Sequence, residues 1–288
     1  MQRGEMMIYI GLAGWGDHDS LYPDSIKSTD KLAHYSSYFP IVEVDSSFYA
    51  ISPVRNVEKW VRETPGNFRF VVKAYQGMTK HRQGKDTPFN TRSEMFDAFK
   101  HSLKPYQESN KLAMVLFQFP PWFHCCKENV AYIRYCKKMM ENIPVALEFR
   151  HQSWYSEAYR EGTLSFMKKE GWIHSIADEP QTGEGSVPLV PIATDTNQTL
   201  IRMHGRNTHG WNKQEGVDWR EVRFLYKYNE KELVEMKNIL HELAKRTKEI
   251  IVIFNNNSGG DAAENAKEFQ EILGIEYEGL APKQLGLF

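Results

Sequence analysis

The sequence predicts an α/β fold, a (β/α)8 barrel of the TIM type, and three observations carry that prediction. Eight short apolar runs, rich in β-branched or aromatic residues, recur along the 288 residues. They do not strictly alternate with polar residues, as suits strands buried on both faces of a parallel sheet. Between most of them lies a stretch whose apolar residues recur at helical spacing. Strand then helix, repeated about eight times over ~250 residues, is the arithmetic of a closed barrel. A doubly wound open sheet competes, but it usually carries G-x-G-x-x-G after its first strand. Here Gly11-Leu-Ala-Gly-Trp-Gly16 lacks that spacing.

In order, strands are expected at Ile8–Leu12, Ile41–Asp45, Phe68–Lys73, Ala113–Gln118, Val145–Glu148, Ile173–Ala177, Thr199–His204 and Ile250–Phe254. Helical stripes follow Leu32, Tyr35 and Phe39, then Val57, Trp60 and Val61. Val130, Ile133, Cys136 and Met140 form another stripe. Leu233, Met236, Leu240 and Leu243 form the next, and Ala262, Ala266, Phe269 and Ile272 the last. Three segments break the repeat. Residues 74–91 form a long loop with Lys80, His81, Arg82 and Lys85. Residues 178–198 hold Pro180, Pro188 and Pro191 and show no helical period, so the helix between strands six and seven is expected to be missing or irregular. Residues 205–229 follow strand seven and carry Trp211 and Trp219.

Composition narrows the class. With 41% hydrophobic and 25% charged residues, the chain is neither disordered nor fibrous. Lys plus Arg number 36 against 37 Asp plus Glu, a net charge of −1, which excludes a globally basic nucleic-acid binder but leaves room for a local basic patch. The apolar runs fall far short of the ~20 residues of a membrane span. Met1–Met7 carries no signal-like apolar stretch. Three cysteines, Cys125, Cys126 and Cys136, fit neither zinc-finger spacing nor a complete disulfide framework, so reduced thiols and a cytoplasmic location are expected. One domain over 1–280 and a tail over 281–288 complete the expected organisation.

In a barrel, polar residues at the carboxyl ends of strands share one mouth. They are Trp15, Glu43 with Asp45, Lys73, Gln118, Glu148 with Arg150, Asp178, Arg202 with His204 and Arg206, and Asn255 with Asn256. Charges inside buried strands cost several kcal/mol unless paired. Glu43 and Arg202 lie inside their apolar runs, so each needs a partner, and pairing across the barrel competes with direct catalysis.

The segments Gly11-Leu-Ala-Gly-Trp15, Val42-Glu-Val-Asp-Ser-Ser-Phe-Tyr49 and Phe68-Arg-Phe-Val-Val-Lys73 come first in a recognisable order. Leu116-Phe-Gln-Phe-Pro-Pro121, Ala146-Leu-Glu-Phe-Arg-His-Gln-Ser-Trp154, Arg202-Met-His-Gly205 and Phe254-Asn-Asn-Asn257 follow. Together, over residues 8–275, they resemble the YecE-like family, also called the domain of unknown function 72 family. Asp45 departs from the pattern, standing where an Asn is commoner. The resemblance implies a TIM-type barrel, and chemistry must be argued from the site.

Glu148, Asp178 and His204 end strands five, six and seven, and three such groups can converge on a divalent cation. The layout resembles the metal-binding half of xylose isomerase-like and endonuclease IV-like barrels, except that Asn255 stands where those supply another carboxylate. A salt-bridged network neutralised by Arg150, Arg202 and Arg206 is the alternative. The same arginines with Lys73 make an electropositive mouth for phosphate or carboxylate. Ser258-Gly-Gly260 precedes a helix in the place where barrels often bind phosphate, although Asp261 and Glu264 also read as a capping pair.

Trp15, Phe48, Tyr49 and Trp154 offer aromatic faces, suited to sugars beside carboxylates and to nucleobases beside arginines. Glu43 and Glu148 are candidates for a retaining glycosidase pair. Cys125, Cys126 and Ser153 have no evident base partner, which argues against acyl transfer. The chain ends Gln284-Leu285-Gly-Leu287-Phe288, which resembles the peptide by which bacterial replication and repair proteins dock on the polymerase sliding clamp. Packing of Leu287 and Phe288 on the barrel is the alternative.

Three functions follow. The first is a hydrolase of nucleic acid or another phosphorylated substrate. Glu148, Asp178, His204 and Glu43 would work as acid–base groups or metal ligands, and Trp15, Lys73, Arg150, Trp154, Arg202, Arg206, Asn255 and Asn256 would hold substrate. The second is a sugar isomerase, epimerase or glycosidase. The third is a non-catalytic anion-binding accessory docked on the clamp.

Overall fold

The computed structural model describes residues 7–82, 87–183, 185–211 and 222–283. Strands β1 (Met7–Ala13), β2 (Ile41–Val44), β3 (Arg69–Lys73), β4 (Leu112–Gln118), β5 (Val145–Glu148), β6 (Ile173–Asp178), β7 (Gln198–Met203) and β8 (Glu249–Phe254) form a closed barrel. Every pair is parallel, and β1 closes on β8 from Met7 opposite Glu249 to Leu12 opposite Phe254. Each expected strand lies within one residue of its observed ends. Their two-faced burial made them legible.

Helices α1 (Lys31–Tyr35), α2 (Val54–Arg62), α3 (Arg92–Glu108), α4 (Lys127–Met139) and α5 (Arg160–Glu170) follow β1 to β5 in turn. Between β7 and β8 come a short α6 (Thr208–Trp211) and α7 (Glu230–Leu243), and α8 (Ala262–Leu273) follows β8. Among the described residues no helix joins β6 to β7, as the proline spacing predicted. The segment takes its place with buried Val187 and Val190.

Alternation along the strands builds two cores. Ile41, Val71, Leu116, Ala146, Leu200 and Ile251 fill the barrel interior. The opposite faces, with Val42, Phe70, Phe117, Leu147 and Val252, pack beneath the helices against Phe39, Phe96, Ile133, Leu240 and Phe269. Gly11 is required where β1 passes β2, because a Cβ there would stand 2.2 Å from the Ile41 carbonyl oxygen.

The expected Asp261–Glu264 capping pair is not formed. Asp261 makes no side-chain capping bond, and Glu264 instead pairs with Lys227 at 2.7 Å. A full capping box lies at α7, where Asn229 and Glu232 bond each other's backbone N–H. Gln284–Phe288, and with them the clamp-like peptide, lie outside the described residues, as do Lys85 and Trp219.

Candidate active site at the barrel mouth

Arg202 organises the mouth. It points inward from β7, and its Nε and Nη2 donate to the two oxygens of Glu43 on β2 at 2.8 and 2.7 Å. Its Nη1 donates to Gln118 Oε1 at 3.1 Å and to both oxygens of Glu148 at 3.1 and 3.2 Å. Glu43, Glu148 and Arg202 are sealed from solvent. The pairing across the barrel is therefore observed, and it fits the physics of charges placed within apolar strands.

Glu148 has further donors. Ser175 Oγ donates to it at 2.9 Å and Arg150 Nη1 at 3.2 Å. Burial pushes its carboxyl upward, but Arg202, His204 and Arg150 overcome this and hold it well below the ordinary range. Asn255 Nδ2 lies 2.9 Å from His204 Nδ1, while Nε2 lies 3.4 Å from Arg202 Nη1 and 3.5 Å from Glu148 Oε1. Burial, then Arg150 and Arg202, keep this imidazole neutral, far below its usual pKa.

Arg150 bridges to a residue the sequence reading missed. Its Nη1 lies 2.6 Å from Glu179 Oε2, while Glu179 Oε1 accepts the Val187 N–H at 2.7 Å. Burial raises the Glu179 carboxyl to about 7, against the opposing pull of Arg150. Its only sequence signal is its place between Asp178 and Pro180, just past a strand end. Arg223 stacks on Trp211 at 4.3 Å, and burial followed by the Arg150 charge lowers it to about 9.

Lys73 completes the mouth. Its Nζ stands 4.8 Å from the Phe48 ring centroid and makes no hydrogen bond or ion pair with a described residue. Burial and the Arg202 charge lower it to about 8, with Glu43 and Glu148 opposing.

Several expected site residues lie elsewhere. Asp178 does not join Glu148 and His204, so the expected metal trio is not assembled. Strand alternation explains this: Asp178 pairs in register with Met203, a residue of the helix-facing core, whereas Arg202 and Ala177 form the preceding register pair. Asp178 binds Arg206 Nε at 3.1 Å and accepts from Tyr228 Oη at 2.6 Å. Among the described residues no group of three His, Cys, Asp or Glu is gathered to hold a metal ion.

Arg206 turns the same way, to Asp178 and Glu232, and does not join Arg150 and Arg202. Gly205, at φ +84°, permits the turn, since a Cβ there would meet the Tyr226 Cβ at 2.6 Å. Asn256 is sealed and donates to Tyr226 O and Asn265 Oδ1, so it fastens a loop and cannot touch substrate.

Trp154 is buried, stacked on Phe149 at 3.9 Å, with its indole N–H on Phe123 O. Trp15 packs edge-on against Trp60 of α2 at 5.2 Å. Glu43 and Glu148 cannot act as a glycosidase pair while the Arg202 guanidinium fills the gap between them. Ser153 does have a neighbouring base, His151 Nδ1 at 2.8 Å, although the same nitrogen caps the local helical turn by accepting Ser153 N–H. Cys125, Cys126 and Cys136 are free thiols, and burial raises Cys136 to about 12.

A closed eight-stranded barrel with an arginine–carboxylate network across its carboxyl mouth defines the class of protein. The chain belongs to the family described as "Protein of unknown function DUF72", whose model matches residues 9–286. It is 65% identical to the UPF0759 protein YunF of Bacillus subtilis (strain 168), over 98% of this chain and 100% of that protein. It is 24% identical to the UPF0759 protein YecE of Escherichia coli (strain K12), over 72% of this chain and 78% of that one. The crystal structure of a DUF72 family protein from Enterococcus faecalis V583 superposes with a TM-score of 0.90 at 41% identity, covering 97% of this chain and 100% of that one. One from Thermotoga maritima MSB8 gives 0.79 at 31%, covering 93% and 100%. The expected family and barrel are both established. No described helix is long and apolar enough to cross a membrane.

Proposed function

We propose that this protein is a hydrolase of a phosphorylated substrate, with the phosphate bound beside Lys73 at the carboxyl mouth of the barrel. The observation that carries the reading is the Lys73 ammonium, partly buried and lacking a counterion among the described residues. Desolvating a cation without a partner costs free energy, which a bound oxyanion returns. Lys73, Arg150, Arg202 and Arg223 supply four cationic groups to this region, against Glu43, Asp45, Glu148 and Glu179. The charges there are even, and it is Lys73, outside the ion pairs of Arg150 and Arg202, that favours an anion.

Roles follow from protonation. Glu148 is held ionised by its donors and positions Arg150 and Arg202. When Arg150 turns from Glu179 to the bound phosphate, Oε2 of this otherwise sealed carboxyl, near 7, is freed to take a proton from an attacking water and pass it to the leaving oxygen as the P–O bond breaks. His204 stays neutral, with Nε2 between Glu148 and Arg202. The sugar isomerase, epimerase or glycosidase alternative is weakened by the placement of Trp15, Trp154 and the filled Glu43–Glu148 gap.

One observation favours the non-catalytic reading: Glu43 and Glu148 are saturated by Arg202 and Arg150, as in a rigid binding scaffold. Turnover of phosphate monoesters and abasic-site oligonucleotides, assayed with and without added divalent cation, decides between them. Hydrolysis lost in Glu179→Gln and Lys73→Met supports the enzyme. Sulfate binding that depends on Lys73 without any turnover leaves the binding scaffold, and no Lys73-dependent anion binding sinks both.

A further inference from the structure

Two large aromatic side chains stand out in solvent on the rim of the mouth: Trp122, 61% exposed, and Tyr49, 60% exposed. They belong to the connections after β4 and β2, and a continuous run of rings joins them. Trp122 meets His81 edge-on at 5.8 Å, His81 meets Phe48 at 4.8 Å, and Phe48 meets Tyr49 at 5.2 Å.

The run is held in place by the fold. Gln76 donates from Nε2 to Tyr49 O at 3.1 Å and from its backbone N–H to Phe48 O at 2.9 Å. Thr79 Oγ1 lies 2.8 Å from His81 Nδ1. Lys73 stands over Phe48, so the unpaired ammonium and the aromatic run share a ring. Burial together with the Lys73 and Arg150 charges lowers His81 to about 3, which keeps its ring an uncharged part of the platform.

Exposed aromatic side chains gathered in one patch mark a binding surface, and aromatic faces stack on bases. The buried carboxylates that would grip a sugar's hydroxyls inside the mouth, Glu43 and Glu148, are taken by Arg202. A cation beside aromatic faces suits a planar base joined to a phosphate.

We propose that Trp122, buttressed edge-on by the His81–Phe48–Tyr49 run, stacks a nucleobase whose phosphate lies at Lys73, making the ligand a nucleotide, free or at the end of a strand. This rests on the phosphate reading above.

Titration calorimetry of the full chain with sulfate, ribose 5-phosphate, adenosine, adenosine monophosphate and a 5′-phosphorylated single-stranded oligonucleotide tests it. Trp122→Ala weakens adenosine monophosphate by about tenfold, the worth of one stacked base, and leaves sulfate unchanged, while Trp122→Phe retains binding. Ribose 5-phosphate binding as tightly as adenosine monophosphate, or an equal loss for every ligand in Trp122→Ala, overturns the proposal. Trp122-dependent adenosine binding without Lys73-dependent sulfate binding keeps the base platform and overturns the phosphate reading instead. An oligonucleotide tighter than the mononucleotide identifies a strand end, and the reverse identifies the free nucleotide.

Discussion

Arg202 on β7 grips Glu43 on β2 with two hydrogen bonds of 2.8 and 2.7 Å, across 159 residues of sequence and inside the closed barrel. The same guanidinium also serves Glu148, so one cation is shared by two buried carboxylates. Arg202→Met strands both acids, and removing one member of a buried pair costs about 3–5 kcal/mol. Glu43→Gln keeps an acceptor for Nε and leaves Glu148 in place, so its cost is smaller. Arg202→Lys falls between, because an ammonium cannot hold the fork geometry. Urea unfolding of the three variants checks the order, and an Arg202→Met protein as stable as the parent refutes the account.

Anion affinity is expected to fall as pH rises, in two steps. Glu179 is raised to about 7, so it is neutral below that value and anionic above it. Lys73 is lowered to about 8, so it loses its charge above that value. Both changes make the mouth less positive. Sulfate, which does not titrate in this range, is the probe. Glu179→Gln removes the step near 7, while Lys73→Met removes the step near 8 and weakens binding throughout. A flat profile for the parent protein contradicts the assignment of both groups to the anion site.

Folding stability depends on pH with opposite signs at two neighbouring groups. His204 is held below its unfolded value of 6.5, so its contribution is full above 6.5 and is lost as pH falls. Glu179 is raised above its unfolded value of 4.5, so its contribution is full below 4.5 and is lost as pH rises through about 7. Difference curves of thermal midpoint against pH separate them. The His204→Gln protein lacks the acid-side loss and Glu179→Gln lacks the alkaline-side loss. If either variant parallels the parent at every pH, that group does not carry the shift.

Strand positions were legible because burial on both faces leaves continuous apolar runs such as Ile250–Phe254. The missing helix after β6 was legible from Pro180, Pro188 and Pro191. Side-chain direction was less legible. Asp178 ends its strand just as Glu148 does, yet a single step in a two-residue period sends it to Arg206 and Tyr228. Trp154 looked like a ligand platform because nothing local reveals that Phe149 and Phe123 cover it. Glu179 escaped notice because its partners, Arg150 and the Val187 N–H, meet it only through the irregular β6–β7 connection. Trp122 and His81 lie on the connections after β4 and β3, and the pairing of those two strands makes them neighbours.

The clamp-like ending leads to a prediction about which end of the barrel a partner approaches. Ala281 donates its N–H to Ser36 O, and Lys283 Nζ lies 5.2 Å from the Tyr38 ring centroid. Ser36 and Tyr38 follow α1 and precede β2, so they lie at the amino-terminal end of the strands, opposite the Lys73 mouth. Gln284, Leu285, Leu287 and Phe288 follow Lys283 in sequence and lie outside the described residues. We propose that they bind the polymerase sliding clamp by seating Leu285, Leu287 and Phe288 in an apolar groove. A clamp bound there leaves the mouth open, so saturating clamp should leave sulfate affinity unchanged. Purified clamp should be retained by the full chain and lost on deletion of 284–288, with Lys73→Met retaining it as well as the parent does. Equal retention by the full chain and the deletion variant removes the clamp from the account, and a clamp that blocks sulfate places its contact at the mouth instead.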